Sequence, residues 1–149
     1  MSPIVGLPNP ESSLTDLVRS LIGGTAITVE SASDRAIALL GSKSGVDMKT
    51  AASTTIFTSK EARKTRITHV VVRDYSASLA GGTSYAITSF RSGFSLNGLT
   101  TANTGYGLVL PVDVTEYTEI AAGTAVQLTV TTGSTAACTA TVDVFGFTT

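Results

Sequence analysis

Between Thr124 and Thr131 the chain alternates without a break: Val126, Leu128 and Val130 fall on one side, and Ala125, Gln127, Thr129 and Thr131 on the other. A period of two belongs to a strand with one buried face; on a helix the same residues would scatter around the axis. A strand with one apolar face cannot stand alone, because its backbone donors and acceptors need partners and its apolar row needs cover. The sequence must therefore supply further strands. From residue 25 onward it offers short runs rich in Thr, Val and Ile, punctuated by Gly, Ser, Asn and Asp. The runs predict strands near 25–30, 35–40, 53–59, 65–74, 84–91, 105–110, 116–120, 123–132 and 137–147. Nine short strands predict an all-β fold of two packed sheets.

Two of these runs say more. In 137–147, Cys138, Ala140, Val142 and Val144 share a face, which leaves Thr139, Thr141, Asp143, Phe145 and Phe147 opposite; two aromatics on a nominally exposed face point to an interface. Ile67 to Val72 is apolar on both sides at Val70, Val71 and Val72, the pattern of a strand in the middle of a sheet covered on both faces. The small residues and paired glycines of Tyr75 to Thr83 predict a flexible connection, and 92–104 a longer loop of the same character. No repeat with a period of 20 to 50 residues interrupts this pattern.

The first 24 residues differ. Pro3, Pro8 and Pro10 favour an extended arm. A short helix follows: Ser13 is placed to cap it, Asp16 stands three residues on, and Leu14, Leu17, Val18 and Leu21 form one stripe before Gly23 and Gly24 end it. About ten residues do not make a stable helix alone in water, so the stripe must dock on its own domain or on a neighbouring subunit. The organisation expected is an arm and helix over 1–24 and one β-sandwich domain over 25–149.

Composition narrows the partners. The chain has 149 residues, enough for one core, with 42% hydrophobic and only 14% charged residues, against a usual charged share of about 25%. The surface must be built largely from Ser, Thr, Gly and Ala. A formal net charge of -1 offers no basic field for phosphates or anionic lipid, so neither nucleic acid nor membrane is expected as a partner. One cysteine excludes an intramolecular disulfide framework. The N-terminus lacks a basic segment followed by an apolar core, and no run approaches the roughly 18 apolar residues of a membrane span, so a soluble chain without a signal peptide is expected.

Catalytic constellations are sparse. A nucleophilic triad would have to use His69, the sole imidazole, with a serine or Cys138 and an acid such as Asp74 or Asp143. His69 sits in an apolar strand, where a structural role fits better, and no G-x-S-x-G elbow accompanies it. One His and one Cys cannot assemble a zinc site, and Asp113, Glu116 and Glu119 match no calcium-loop spacing, so they read as a solvated loop and strand edge. The glycines of 79–83 lack the features of a phosphate-binding loop and read as a turn. Lys60 to Arg66 is the one local concentration of positive charge, either a solvated hairpin loop or a contact for an acidic partner. No catalytic, cofactor-binding or metal-ligating residue is therefore assigned, and no enzyme activity or cofactor is expected.

Residues 46–87 resemble a recurrent pattern in small virion proteins of tailed bacteriophages. The matching pieces are Val46 to Thr50 (VDMKT), Thr54 to Thr58 (TTIFT), Val70 to Arg73 (VVVR) and Ser76 to Thr83 (SASLAGGT). The closing strands, TAVQLTVTTGSTAACTATVDVFGFTT, are similar too. Ser59 to Ala62 stands where the pattern has a Val-Pro-x-Gly turn, so that connection is expected to differ. The resemblance implies a jelly-roll-like β-sandwich on the outside of a capsid, assembled in the host cytoplasm. The function implied is that of a decoration or cement protein, bound to itself as homodimer or homotrimer and to the major capsid protein or another virion protein. A head-fibre or tail-associated module that binds a receptor or glycan is the alternative. The adhesive parts expected are residues 1–24, the Lys60 to Arg66 loop, and the Phe145 and Phe147 face.

Overall fold

The computed structural model describes residues 36–60, 62–102, 105–111 and 119–149, within a compact unit of Asp34–Thr149. The arm and helix of 1–24 and the strand expected at 25–30 lie outside the described residues. In chain order the strands are β1 Ala38–Asp47, β2 Ser53–Thr58, β3 Thr65–Arg73, β4 Ser84–Ile87 and β5 Arg91–Phe94, then β6 Gly107–Val109, β7 Glu119–Ile120, β8 Ala125–Thr132 and β9 Thr139–Thr148. They form two antiparallel sheets. One is ordered β1-β9-β3-β6, with β7 also on β3; the other is ordered β2-β8-β4-β5.

The alternation of β8 holds as read, with Val126, Leu128 and Val130 buried. Ala140, Val142 and Val144 of β9 and Ile67, Val70 and Val72 of β3 belong to the same buried cluster, which also takes Tyr85 and Ile87 from the second sheet. One irregularity lets β3 contribute both Ile67 and Val70. Its register with β9 runs Ile67↔Gly146 and then His69↔Phe145, so Thr68 is an extra residue, a β-bulge that moves the inward position from odd to even numbers. Thr68 Oγ1 donates to the Phe145 carbonyl at 3.3 Å across this break. β3 is interior to its sheet, as its apolar run predicts, but Val71 on the outer side is only half-buried.

Three connections differ from the sequence expectation. The run expected as one strand over 84–91 is a hairpin, β4 to β5, turning at Ser89 with φ 54, and so 92–104 begins inside a strand rather than as loop. The strand near 35–40 continues to Asp47 through Gly-Ser-Lys-Ser-Gly, residues that read as a turn. It does so as an edge strand with two register shifts, one of them at Gly45 with φ 66, the left-handed region that glycine enters freely. The connection expected to be flexible, Tyr75 to Thr83, is pinned. Leu79 is fully buried, Ser76 N donates to the Thr139 carbonyl at 2.8 Å, Gly81 N to Asn97 Oδ1 at 2.6 Å, and Thr135 N to the Ala80 carbonyl at 2.8 Å. Small residues here allow close backbone approach rather than freedom.

Ser59, the first residue of the departure from the virion pattern, is buried and ties the end of β2 to the turn before β8. Its hydroxyl donates to the Ala121 carbonyl and accepts from Thr124 N, each at 2.8 Å. Tyr85 is the deepest polar group: its hydroxyl donates to the Met48 carbonyl at 3.0 Å, and burial above all pushes the phenol up to about 12.

Gly146 is the tightest point of the β3–β9 ladder, where a Cβ would collide with the Arg66 carbonyl oxygen. Gly146→Ala is expected to lower stability by about 1–3 kcal/mol. Gly98, with open space around it, should accept Ala within about 0.5 kcal/mol. Urea unfolding measures both, and equal midpoints for the two variants would contradict the ladder geometry.

Candidate functional site

The outward faces of the two sheets are chemically unlike. On the β2-β8-β4-β5 sheet, Ser53, Thr55, Gln127 and Thr129 point out and bond to one another: Ser53 Oγ lies 2.8 Å from Thr129 Oγ1, and Gln127 Nε2 donates to Thr55 Oγ1 at 3.1 Å. On the other sheet the outward rows mix large apolar side chains with charged ones. Leu39, Phe145 and His69 stand side by side across β1, β9 and β3; Ser42, Asp143, Val71 and Leu108 form the next row across all four strands. Tyr106 and Leu110 flank Leu108 in alternation, and Ile37 precedes Leu39 in the same way. These are also the large apolar side chains that the described residues leave most open: Tyr106 at 65%, Ile37 at 61% and Leu39 at 53% exposure, with Leu108 and Leu110 near half. Isolated exposed apolar residues are ordinary; here they gather at the two edge strands of one sheet, with the half-buried Phe145 and Val71 between them.

The polar groups on this face are tied down. Asp143, nearly buried, accepts from Arg73 Nε at 2.6 Å and from Ser42 Oγ at 2.5 Å. Burial raises its carboxyl, but the hydrogen bonds from Arg73 and Ser42 outweigh it and hold the group below the usual carboxylate range. Arg73 also pairs with Asp74 at the rim. At the opposite end of the strands, Glu119 accepts from Lys64 at 2.8 Å and from Arg66 at 3.4 Å, and Lys64 above all holds its carboxyl low. His69 is stacked flat on Phe145, ring centroids 4.6 Å apart and planes 6° from parallel, with Nδ1 3.0 Å from Thr68 Oγ1.

Of the adhesive features expected from sequence, two meet here. Phe145 and Phe147 are half-buried on the face, and Arg66, the end of the basic loop, is in register with Phe147. The apolar side chains flanking and within β6 were not singled out by sequence reasoning, although Tyr106, Leu108 and Leu110 alternate with glycine and valine in a pattern that could have been read. Of the residues weighed for a catalytic triad, His69 and Asp143 stand in adjacent rows of the face with no hydrogen bond between them, and Cys138 is buried in the core. His69 has Thr68 and Phe145 as neighbours, the buried Cys138 thiol donates to the Ala77 carbonyl at 3.2 Å, and Asp74 and Asp143 both pair with Arg73. Asp113 and Glu116 lie outside the described residues, and Glu119 is engaged in ion pairs. Among the described residues no three His, Cys, Asp or Glu side chains gather to hold a metal. A shallow depression of about 230 Å³ lies over the β4–β5 turn, lined by Ile87, Ser89, Phe90, Arg91 and Ser92. It is smaller than the roughly 300 Å³ at which small-molecule pockets begin.

No protein-family model, curated protein or solved structure matches the chain.

Because the folded Asp143 carboxyl titrates below its unfolded counterpart, it contributes stability that is complete above about pH 4. That stability is lost as pH falls through the lower folded value. Asp143→Asn is expected to cost about 1–2 kcal/mol at pH 7. It should also flatten the fall of the urea midpoint between pH 5 and pH 2.5 (about one to two units around the carboxylate range); an acid dependence as steep as that of the natural chain would contradict this role.

Proposed function

We propose that this chain is a structural protein of a tailed-phage particle, a capsid decoration or cement protein whose jelly-roll-like β-sandwich holds on through one sheet face. The observation that carries the proposal is the apolar face of Leu39, Phe145, Val71 and Leu108, backed by a second sheet whose outer face is hydroxyl- and amide-lined. A two-faced body of this kind is suited to pack against another virion subunit, a copy of itself included, with one side and meet water with the other.

Strand pairing supports the jelly-roll reading. The pairs β4–β5, β3–β6, β2–β8 and β1–β9 are nested, as when a long antiparallel ribbon is folded once on itself, and the added pairs β9–β3 and β8–β4 wrap that ribbon into two sheets. Two Greek keys with eight principal strands define a jelly roll, a fold used in viral capsids and also in lectins. The pieces that resemble virion proteins fall on consecutive elements: the end of β1, most of β2, the second half of β3 and the pinned connection to β4. Fold alone does not assign a function, so the weight rests on the face. Its contacts, repeated by the symmetry of a shell, add up to firm attachment even when each is weak. The partners this reading implies are further copies of the chain itself and the major capsid protein or another virion protein.

A specific observation also favours the alternative, a receptor- or glycan-binding module on a head fibre or tail. Tyr106 is an open aromatic ring, the kind of platform on which sugar CH groups stack. Electron cryomicroscopy of purified particles separates the two. Density at capsomer junctions over the whole shell is expected for the cement reading, and density confined to fibres or tail, with binding on a glycan array, would replace it.

A further inference from the structure

We infer that the outer face of the β1-β9-β3-β6 sheet takes a second copy of this chain, packed face to face across a two-fold axis that lies in the interface and runs perpendicular to the strands. The inference rests on the assembly reading above and names its first partner. Three observations carry it.

The first is shape. Three strands of about eight residues, with the short β6 and its flanks beside them, at about 4.8 Å spacing and about 3.3 Å per residue make a face of about 450 Å². Two such faces bury about 900 Å², close to the lower bound of about 1,000 Å² for a specific interface. A face of this size supports a weak dimer rather than an obligate one.

The second is charge. At the end of the face where β3 begins, Lys64 and Arg66 stand against Glu119, so basic groups outnumber the acid in that ion-pair group. The end where β3 finishes carries Arg73 against Asp74 and Asp143, leaving one negative charge. Asp47, opposite Thr139 on the outward row of β9, adds an acid at this same end, whereas Lys43 is opposite the inward-facing Val142. A two-fold axis along the strands would set each end against itself. An axis across the strands sets the positive end of one copy on the negative end of the other, with β1 over β1 and β6 over β6, so the surface is complementary to its own rotated image.

The third is desolvation. Covering a carboxylate is costly when it lacks partners. Asp143, the acid in the middle of the face, already has both oxygens bonded, one to Arg73 and one to Ser42. The rows around it carry Leu39, Phe145, Val71 and Leu108, which lose little by leaving water.

Sedimentation of the full chain from about 1 to 500 μM, a range that brackets weak dimers, tests the inference. A reversible monomer–dimer equilibrium is expected. Leu108→Lys should weaken it at least tenfold while leaving the circular dichroism and melting curve unchanged. Arg66→Glu should weaken it, and adding Asp74→Lys should restore it, because the two ends then exchange sign. A chain that stays monomeric, a trimer, or a dimer indifferent to Leu108→Lys would overturn the inference. So would failure of the second charge change to rescue the first. A monomer in which Leu108→Lys makes residues 1–35 newly sensitive to protease would assign the face to the chain's own N-terminal segment. These outcomes concern the chain in solution: a monomer that still decorates purified particles sinks the dimer and leaves the virion reading standing, whereas a dimer absent from particles does the reverse.

Discussion

The pairing of the last strand with both β1 and β3 is the constraint on which the first sheet depends. β9 lies between them, so β1 and β3 have no direct ladder and are joined only when residues 139–148 arrive. Every core-facing residue of β3 is placed by that ladder: Thr65 opposite Thr148, Ile67 opposite Gly146, Val70 opposite Val144 and Val72 opposite Val142. The bulge at Thr68 is what makes the two halves compatible, since without it either Ile67 or the Val70 and Val72 pair would face outward. Gly146 belongs to the same solution, because the bulged strand brings the Arg66 carbonyl where a side chain would otherwise stand. Pairing the first strand with the last also makes the fold dominated by distant contacts, so it cannot form piecemeal from one end.

The same ladder creates the apolar face. A register that turns Val142 and Val144 inward turns Asp143 and Phe145 outward, beside Val71, His69 and Leu39. In the second sheet the equivalent outward positions are Thr and Gln, which satisfy one another across strands and leave that face self-sufficient. The asymmetry is therefore a property of side-chain choice on an otherwise similar framework. It is the reason for placing adhesion on one side of the molecule.

Much of this is legible in the sequence, and the exceptions have physical causes. The inward rows of β8 and β9 follow from period two alone, since Val126, Leu128, Val130, Val142 and Val144 leave no other assignment. The parity change in β3 is invisible in sequence, because Ile67 to Val72 is apolar at nearly every position and a bulge there breaks no pattern. β1 is hidden for the opposite reason: Gly41 to Gly45 has turn composition, and only pairing with β9 keeps it extended. The pinned loop Ser76 to Thr83 misleads because small residues signal freedom when isolated and close approach when packed, and Leu79 is the one residue that distinguishes the two. The face itself is half legible. Phe145 and Phe147 stand out as aromatics opposite the core row, whereas Leu108 is informative only once β6 is known to lie in the same sheet.

Asp143 bears on how the proposed contact face is kept specific. An uninterrupted apolar face on four strands would accept any apolar surface, in any register. A carboxylate set in the middle, and bound by Arg73 and Ser42, imposes a condition: the covering surface must tolerate a neutralised ion pair at that point. The Lys64, Arg66 and Glu119 group imposes a second condition at the other end. Each surface pair contributes little energy by itself, typically about 0–1 kcal/mol. Their separation along the strands, however, distinguishes one direction of approach from its reverse. In the dimer inferred above, apolar area supplies the attraction and the two charged groups select the orientation.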